Sequence, residues 1–392
     1  MKVYKVGIIF VLLFITMSGC ASRRRYPPLF IDSAVRIAID KILNCATLKT
    51  NPNLYVKNTL FVIDQIVDAD TGDITVTSKR ITDLVIAESK KNILNITIQP
   101  MDTKNIDLAD FIIVGVIAQE YNILSKRKTP HLFLSLIDAK SRKIISSTDV
   151  WIKNIGISYD PIPIYRDSPI YLKDNRVDAL VATAKSQAGV LANKDYLDSL
   201  QTSALLDEAG EFYAQGEYDL SLGLFARAAE RADGKVMKTF SGLYQNFFKL
   251  GKIDKASDAF YELLQLGLMG NNLSIKFLFS VDSTEFAGGS DDIIEYYIWL
   301  YEISEALVNS GRCVDIIGHA SHSGTVEYNK NLSLKRAQAV QIKLNLETSV
   351  MKKITKSYGY GFSENIIGTG TNDARDAIDR RVSFKVVDCD SL

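Results

Sequence analysis

No other stretch constrains the fold of this chain as tightly as Gly318 to Val340. It opens with Gly318-His319-Ala320-Ser321-His322-Ser323-Gly324, at the end of the strand pattern Val314-Asp315-Ile316-Ile317. It continues with Asn331-Leu332-Ser333-Leu334-Lys335-Arg336-Ala337-Gln338-Ala339-Val340, which begins a helical pattern over Leu332 to Leu346. Ten residues separate Ser321 from Leu332, so one loop of set length joins strand to helix. Flanking blocks continue the alternation: a strand over Ile275 to Phe279, a turn at Ser280-Val281-Asp282-Ser283, and a helix over Ile293 to Asn309. Tyr358-Gly359-Tyr360-Gly361 follows, and then Ala374-Arg375-Asp376-Ala377-Ile378-Asp379-Arg380-Arg381-Val382 leads into a last strand.

In this order the blocks resemble the OmpA-like peptidoglycan-binding domain, whose pattern reads Gly-His-Thr-Asp, ten residues, Leu-Ser-x-x-Arg-Ala-x-x-Val. The resemblance runs from Leu273 to Cys389 and implies a βαβαβ sandwich of sheet and helices. It also implies a ligand, the free end of diaminopimelate in a peptidoglycan stem peptide, a zwitterion with a carboxylate and an ammonium. Arg336 matches the arginine that takes the carboxylate, and a guanidinium fork suits this because two parallel N–H bonds form at once. Leu332 and Ala337 are expected to set the helix against the sheet.

Ser321 stands where the family carries the aspartate that meets the ammonium. A charge-assisted hydrogen bond is worth about 1.5–3 kcal/mol against about 1 for a neutral one, so binding should weaken roughly ten-fold unless another acid compensates. Asp282 and Glu327 are the nearby candidates. Asp379 also departs from the family, which has asparagine before the paired arginines; it either brings a carboxylate to the site or pairs with Arg380. The expected binding set is therefore Arg336, Ser321, Asp282, Leu332 and Arg380. His319 matches a family histidine that holds a turn. His322 is unmatched, and no cysteine or third histidine completes a metal site with them. No metal or cofactor is expected, nor any catalytic residue: the chain has no His-Glu-x-x-His, no Gly-x-Ser-x-Gly and no phosphate loop.

Lys2 and Lys5 precede an apolar run from Val6 to Met17, too short to span a bilayer and typical of a secretory signal. Its end, Met17-Ser18-Gly19-Cys20, resembles a bacterial lipobox. That resemblance implies removal of residues 1–19, acylation of Cys20 and, with Ala21 following, export to the outer membrane. Arg23 to Arg25 and Tyr26-Pro27-Pro28 read as a short stiff tether with basic charge near the membrane. Over the whole chain 46 basic residues balance 46 acidic ones, which gives no basic excess for nucleic acid. Export makes disulfides possible. Cys313 opens one predicted strand and Cys389 closes another, so the two meet if those strands are antiparallel neighbours, while Cys45 belongs to an apolar helix face.

Between Phe30 and Ile152 helix and strand patterns alternate. A helix is expected over Ile31 to Leu43, started by Asp32-Ser33, and another over Thr77 to Lys90. Strands are expected at Thr59 to Asp64, Leu94 to Ile98, Phe111 to Ile117, His131 to Ile137 and Ile144 to Trp151. The order, and especially the stretch from Ala109-Asp110-Phe111 through the ending Asp138 to Ile152, resembles penicillin-binding-protein activator lipoproteins and related flagellar lipoproteins. His131 is read as structural. Tyr159 to Tyr171, with three prolines, either packs as an extended arm or links domains, and Val177 to Leu200 looks helical.

Gly216-Glu217-Tyr218-Asp219 with Ser221 and Phe225 recurs as Gly251-Lys252-Ile253-Asp254 with Ala256 and Phe260, a spacing of 35 residues. This resembles the tetratricopeptide repeat of about 34 residues. Small residues at Ser221, Ala228 and Ala256 let paired helices approach, and Tyr213, Phe225, Phe248 and Phe260 fill the space between them. Two such units do not bury their own faces and are expected to pack on flanking structure.

The expected organisation is multidomain α/β: signal peptide 1–19, lipidated tether 20–29, an α/β domain at 30–165, linker and helix at 166–200, helical repeats at 201–271 and the OmpA-like domain at 272–392. One functional reading is a non-enzymatic outer-membrane lipoprotein facing the periplasm, held to peptidoglycan and to envelope proteins. Another takes Ser321 as loss of cell-wall binding, with the domain serving assembly of a secretion, flagellar or cell-wall synthesis machine. A third has residues 27–165 activating a peptidoglycan synthase.

Overall fold

The computed structural model describes residues 20–21 (backbone alone), 27–44, 58–89, 96–271, 273–277, 279, 283–286, 290–365 and 379–391. Expectations placed on Lys2 to Met17, Arg23 to Arg25, Cys45, Leu94, Asp282 and Ala374 to Ile378 lie outside the described residues. The chain is a mixed α/β multidomain protein. No described helix is long and apolar enough to cross a membrane.

The first sheet comprises β1 (Cys20–Ala21), β2 (Thr59–Ile63), β3 (Val67–Asp68), β4 (Ile96–Pro100), β5 (Phe111–Asn122), β6 (Arg127–Asp138) and β7 (Lys143–Trp151). Their order is β1-β7-β6-β5-β2-β4, with β3 beside β5. β2, β4 and β5 run parallel, whereas β5, β6 and β7 form an antiparallel meander. Because β5 is covered on both faces, its side chains alternate between two cores. Phe111, Ile113 and Ile117 join Ile31, Val35, Ile39 and Ile42 of α1 (Ile31–Leu43) and Ile81 and Val85 of α2 (Val76–Ser89). Ile112, Val114 and Val116 join the opposite core. Asp32 lies in the first turn of α1 rather than capping it, and meets Arg80 at 3.1 Å.

The short helix α3 (Pro163–Arg166) precedes α4 (Asn175–Ala184) and α5 (Lys194–Asp198). Val177 to Leu200 is thus not one helix. The segment between α4 and α5 is drawn onto the edge of β7, where Ile144 N–H donates to Val190 O at 2.9 Å and Gly189 N–H to Ile144 O at 2.7 Å. Asp174 caps α4 and Asn193 caps α5 through their side chains.

Four helices follow, α6 (Leu200–Ala214), α7 (Tyr218–Ala229), α8 (Met237–Lys249) and α9 (Ile253–Met269), packed as successive hairpins. Ser221, Ala228 and Ala256 are fully buried, as are Phe225 and Phe260. Gly242 faces the Phe225 ring so closely that a Cβ there would lie 2.3 Å from it. Where these helices meet the end of β2, Tyr196 donates to the buried Asp64 at 3.0 Å, and Asp207 pairs with buried Lys238 at 2.8 Å. Burial, and then the neighbouring Asp207, push the Asp64 carboxyl up to about 7.

The second sheet has the order β10-β9-β11-β8, built from β8 (Leu273–Ile275), β9 (Cys313–His319), β10 (Thr355–Gly361) and β11 (Val382–Val387). Its helices are α10 (Ser290–Ser310), α11 (Val326–Glu347) and α12 (Met351–Ile354). The residues from Pro169 to Tyr171 act as an arm on this sheet. Ile170 bridges Ile275, Lys276 N–H donates to Pro169 O at 2.8 Å, and Tyr171 N–H to Ser274 O at 3.2 Å. Trp299 of α10 donates from Nε1 to the Tyr244 hydroxyl at 2.7 Å, with its ring 6.1 Å from that of Phe260. One apolar cluster runs from Val62 through Phe225 and Phe260 to Val340.

Phe260→Ala should therefore cost about 3–5 kcal/mol, read as a lower urea midpoint of the full chain, because it empties the space between α8, α9 and α10.

Candidate functional site

β8, β9 and β10 all run in one direction, and β11 runs against them. Their carboxyl ends, with the amino end of β11, therefore gather four connections at one sheet edge. These are the turn carrying Phe279 and Ser283, the loop from Ala320 to Thr325, the stretch after Gly361, and Asp379-Arg380-Arg381. Backbone bonds lock them together: Ala320 N–H donates to Gly361 O at 2.7 Å, and His319 N–H to Arg381 O at 3.0 Å.

Helix α11 lies across this edge on a stripe of small and apolar residues, Ser333, Ala337, Val340 and Leu344, all buried. The glycines opposite are required by distance. A Cβ on Gly318 would sit 2.0 Å from Ser333 O, and one on Gly359 would sit 2.4 Å from Leu334 N. Ser333 Oγ also accepts from Gly361 N–H at 2.9 Å. Leu332 is half-buried beside this stripe. The helix starts six residues before Leu332, since Thr325 caps it by accepting from Tyr328 N–H at 3.3 Å.

Arg336 is 5% exposed. Its guanidinium carbon lies 5.1 Å from the centroid of Phe279, and Nε donates to Ser283 O at 3.2 Å. Aromatic face and carbonyl together hold the fork in one orientation. Ser321 is equally buried, with Oγ 3.3 Å from Ser323 Oγ. Asn329, which the sequence reading passed over, ties that loop to the helix by donating to Ser323 O and Thr325 O. A polar residue one turn before Ser333 on a buried face was the available signal.

Glu327 does not approach Arg336. It is exposed in the first turn, and nine residues along one helix place the two on opposite faces, about 14 Å apart along the axis. Asp379 is fully buried, and its charge favours the charged form of Arg381, whose pKa burial lowers. Arg381 donates to Glu364 O at 3.2 Å, while Arg380 is half-buried. Tyr171 of the arm lies within electrostatic reach of Arg381, Asp379 and Arg380, so the amino end of β11 faces the arm.

His319 accepts or donates through Nε2 with Ser383 Oγ at 2.8 Å, and Nδ1 is enclosed with no hydrogen-bond partner among the described residues. Burial, with Arg381 adding to it, pushes its pKa down to about 3, so the ring is neutral and holds the strand end. His322 is exposed against Phe362, ring centroids 4.3 Å apart. Among the described residues no group of three or more His, Cys, Asp or Glu side chains is gathered for a metal. Cys313 at the start of β9 forms a disulfide with Cys389, which opens a short helical turn just past β11 rather than closing the strand, with Cα atoms 5.1 Å apart. Cys20 runs along β7 in its backbone, opposite Ser146. Away from this edge, His131 stacks on Trp151 at 3.8 Å, and its two ring nitrogens face Glu120 and Asp149, each at 2.8 Å.

Residues 285–379 match the OmpA family, so this edge belongs to a C-terminal OmpA-like domain. Three solved structures are similar to the same part of the chain. The peptidoglycan-associated lipoprotein from Burkholderia pseudomallei is 26% identical, over 30% of this chain and 91% of that one, with a TM-score of 0.25. The cell wall anchor of the T6SS from Pseudomonas aeruginosa is 26% identical, over 28% and 73%, with a TM-score of 0.23. The OmpA-like domain of FopA1 from Francisella tularensis subsp. tularensis SCHU S4 is 20% identical, over 29% and 73%, with a TM-score of 0.22. No curated protein matches the chain in sequence.

Two outcomes follow from this geometry. Gly318→Ala should destabilise the chain by about 3 kcal/mol or more in urea unfolding, since the clash is with backbone. His319 also contributes an acid sensitivity. Below about pH 6.5 the unfolded ring takes a proton that the folded ring refuses down to about 3, so stability falls as pH drops through that window. His319→Gln should remove about 2 kcal/mol of the loss between pH 7 and pH 5, measured by comparing urea midpoints at the two pH values.

Proposed function

We propose that this chain is a non-enzymatic lipoprotein of the bacterial envelope whose C-terminal domain holds peptidoglycan. The carrying observation is Arg336, buried and oriented at the sheet edge of an OmpA-like domain. In this reading its guanidinium takes the diaminopimelate carboxylate, and Arg380 adds positive charge beside it. Ser321 offers the ammonium a neutral oxygen, and Glu327 is on the wrong helix face to replace the missing charge. Binding is therefore weak beside that of an aspartate-bearing site. Cys20 carries the lipid, residues 1–19 are removed, and the anchor lies in the outer membrane. The α/β domain and the helical repeats, with boundaries at 30–165, 166–200 and 201–271, hold envelope proteins at a set distance from the membrane.

One observation favours a second reading. The Ser321 hydroxyl is buried beside Ser323 and carries no charge, which suits a domain given over to protein assembly.

Retention of the full exported chain on isolated sacculi, made without lipid by Cys20→Ala, separates the two. Wild-type sequence should be retained, Arg336→Ala should bind at least about ten-fold less, and Ser321→Asp about ten-fold more. No retention until Ser321→Asp is introduced gives the assembly reading.

A further inference from the structure

We propose that the tip of the β5–β6 hairpin docks on an anionic lipid surface. β5 and β6 stay paired out to Asn122↔Arg127, whereas β7 ends with Trp151 opposite His131. Pro130 O still accepts from Ile152 N–H at 2.8 Å and Gln119 N–H donates to Asp70 at 3.3 Å, so the pairs from Glu120↔Thr129 to Asn122↔Arg127 are the ones that run past these flanking contacts, by about 10 Å at strand rise. On the other side β3 ends at Asp68, opposite Ile117. The hairpin is a projection.

Its apex is apolar. Ile123 is 76% exposed and Leu124 74%, with Tyr121 at 63% just behind them. Lys126, Arg127 and Lys128 follow in succession and are all exposed. The nearest carboxylate on the hairpin, Glu120, is engaged by His131 at 2.8 Å and by Lys185 at 2.7 Å, and Asp70 lies within electrostatic reach of Lys128, so Lys126 and Arg127 supply the positive charge of the tip.

The turn is held rather than loose. Asn122 is buried and accepts from Leu124 N–H at 3.0 Å and from Ser125 N–H at 2.9 Å, while Ser125 Oγ meets Thr129 Oγ1 at 2.9 Å. Lys126 has a φ of 52°, the left-handed region that glycine adopts more easily, so a cation stands where backbone geometry favours another residue. Order in the free chain means that little freedom is lost on docking.

The arrangement matches the layers of a bilayer surface. Two aliphatic side chains reach the acyl region, a tyrosine sits at headgroup depth, and cations meet anionic headgroups. A protein partner fits less well, because a stable interface covers about 800 Å² on each side and a convex tip offers far less. The contact does not depend on a lipid at Cys20 or on the sacculus site.

Co-sedimentation of the full exported chain carrying Cys20→Ala, with vesicles of phosphatidylglycerol and phosphatidylcholine, tests this. Binding is expected to fall roughly ten-fold or more in Ile123→Ser/Leu124→Ser. It is expected to fall similarly in Lys126→Glu/Arg127→Glu and on phosphatidylcholine alone. All four positions are exposed, and circular dichroism verifies the fold of each variant. Leu124→Trp adds a direct readout, a blue shift of its emission on vesicles that reports insertion. No binding of the unsubstituted tip to anionic vesicles overturns the proposal. So does binding that survives loss of both aliphatic residues, or a Leu124→Trp emission that vesicles leave unmoved. Capture of an acidic protein through the tip without vesicle binding overturns it in favour of a protein partner.

Discussion

The pairing of the arm with β8 is the contact on which the arrangement of the whole chain depends. Three residues, Pro169 to Tyr171, leave the first α/β unit and lie along the open side of β8, closing an edge that would otherwise expose unpaired backbone groups. The same junction buries Lys276, whose ammonium donates to Tyr165 O at 2.6 Å and whose pKa burial lowers. With the arm in place, α10 packs against α9, and the apolar cluster becomes continuous from the first sheet to the second. Proline at 169 suits this position, because a residue with no N–H can accept from Lys276 without leaving a donor unpaired.

The candidate site depends on a different economy of space. Helix α11 approaches β9 and β10 as closely as it does because Gly318 and Gly359 present no side chain to it. That closeness puts Arg336 over Phe279 and within reach of the Ser283 carbonyl, and it lets Asn329 hold the loop that carries Ser321. Among the described residues the edge carries Arg336, Arg380 and Arg381, with the buried carboxylate of Asp379 beside Arg381.

Much of this was legible in the chain. Helical spacing at Ile31, Val35, Ile39 and Ile42 marked α1, and continuous apolar runs marked β2 and β5, because strands covered on both faces need no polar alternation. Other features were hidden. The stretch Val177 to Leu200 reads as one helix, yet its middle pairs with β7, since edge backbone bonds outweigh a weak local preference. The outer parts of β5 and β6 escaped because Glu120, Tyr121 and Arg127 to Lys128 carry no apolar pattern; they are strand only by pairing with each other. Asn329 looked like any polar residue on a helix.

From the sequence alone came the pattern of core positions, the glycines and small residues that allow close approach, and the residue types available at the site. These follow from periodicity and side-chain size, which are local properties. Only the tertiary structure decided what surrounds Arg336, because distance across the fold is not written in sequence spacing. Glu327 is close in sequence and turned away by helical geometry, whereas Ser283, far back in the chain, touches the guanidinium. The arm's place on β8 and the bare, apolar tip of the hairpin were decided at the same level. Each depends on where neighbouring strands stop, and that is settled by packing rather than by the residues of the segment itself.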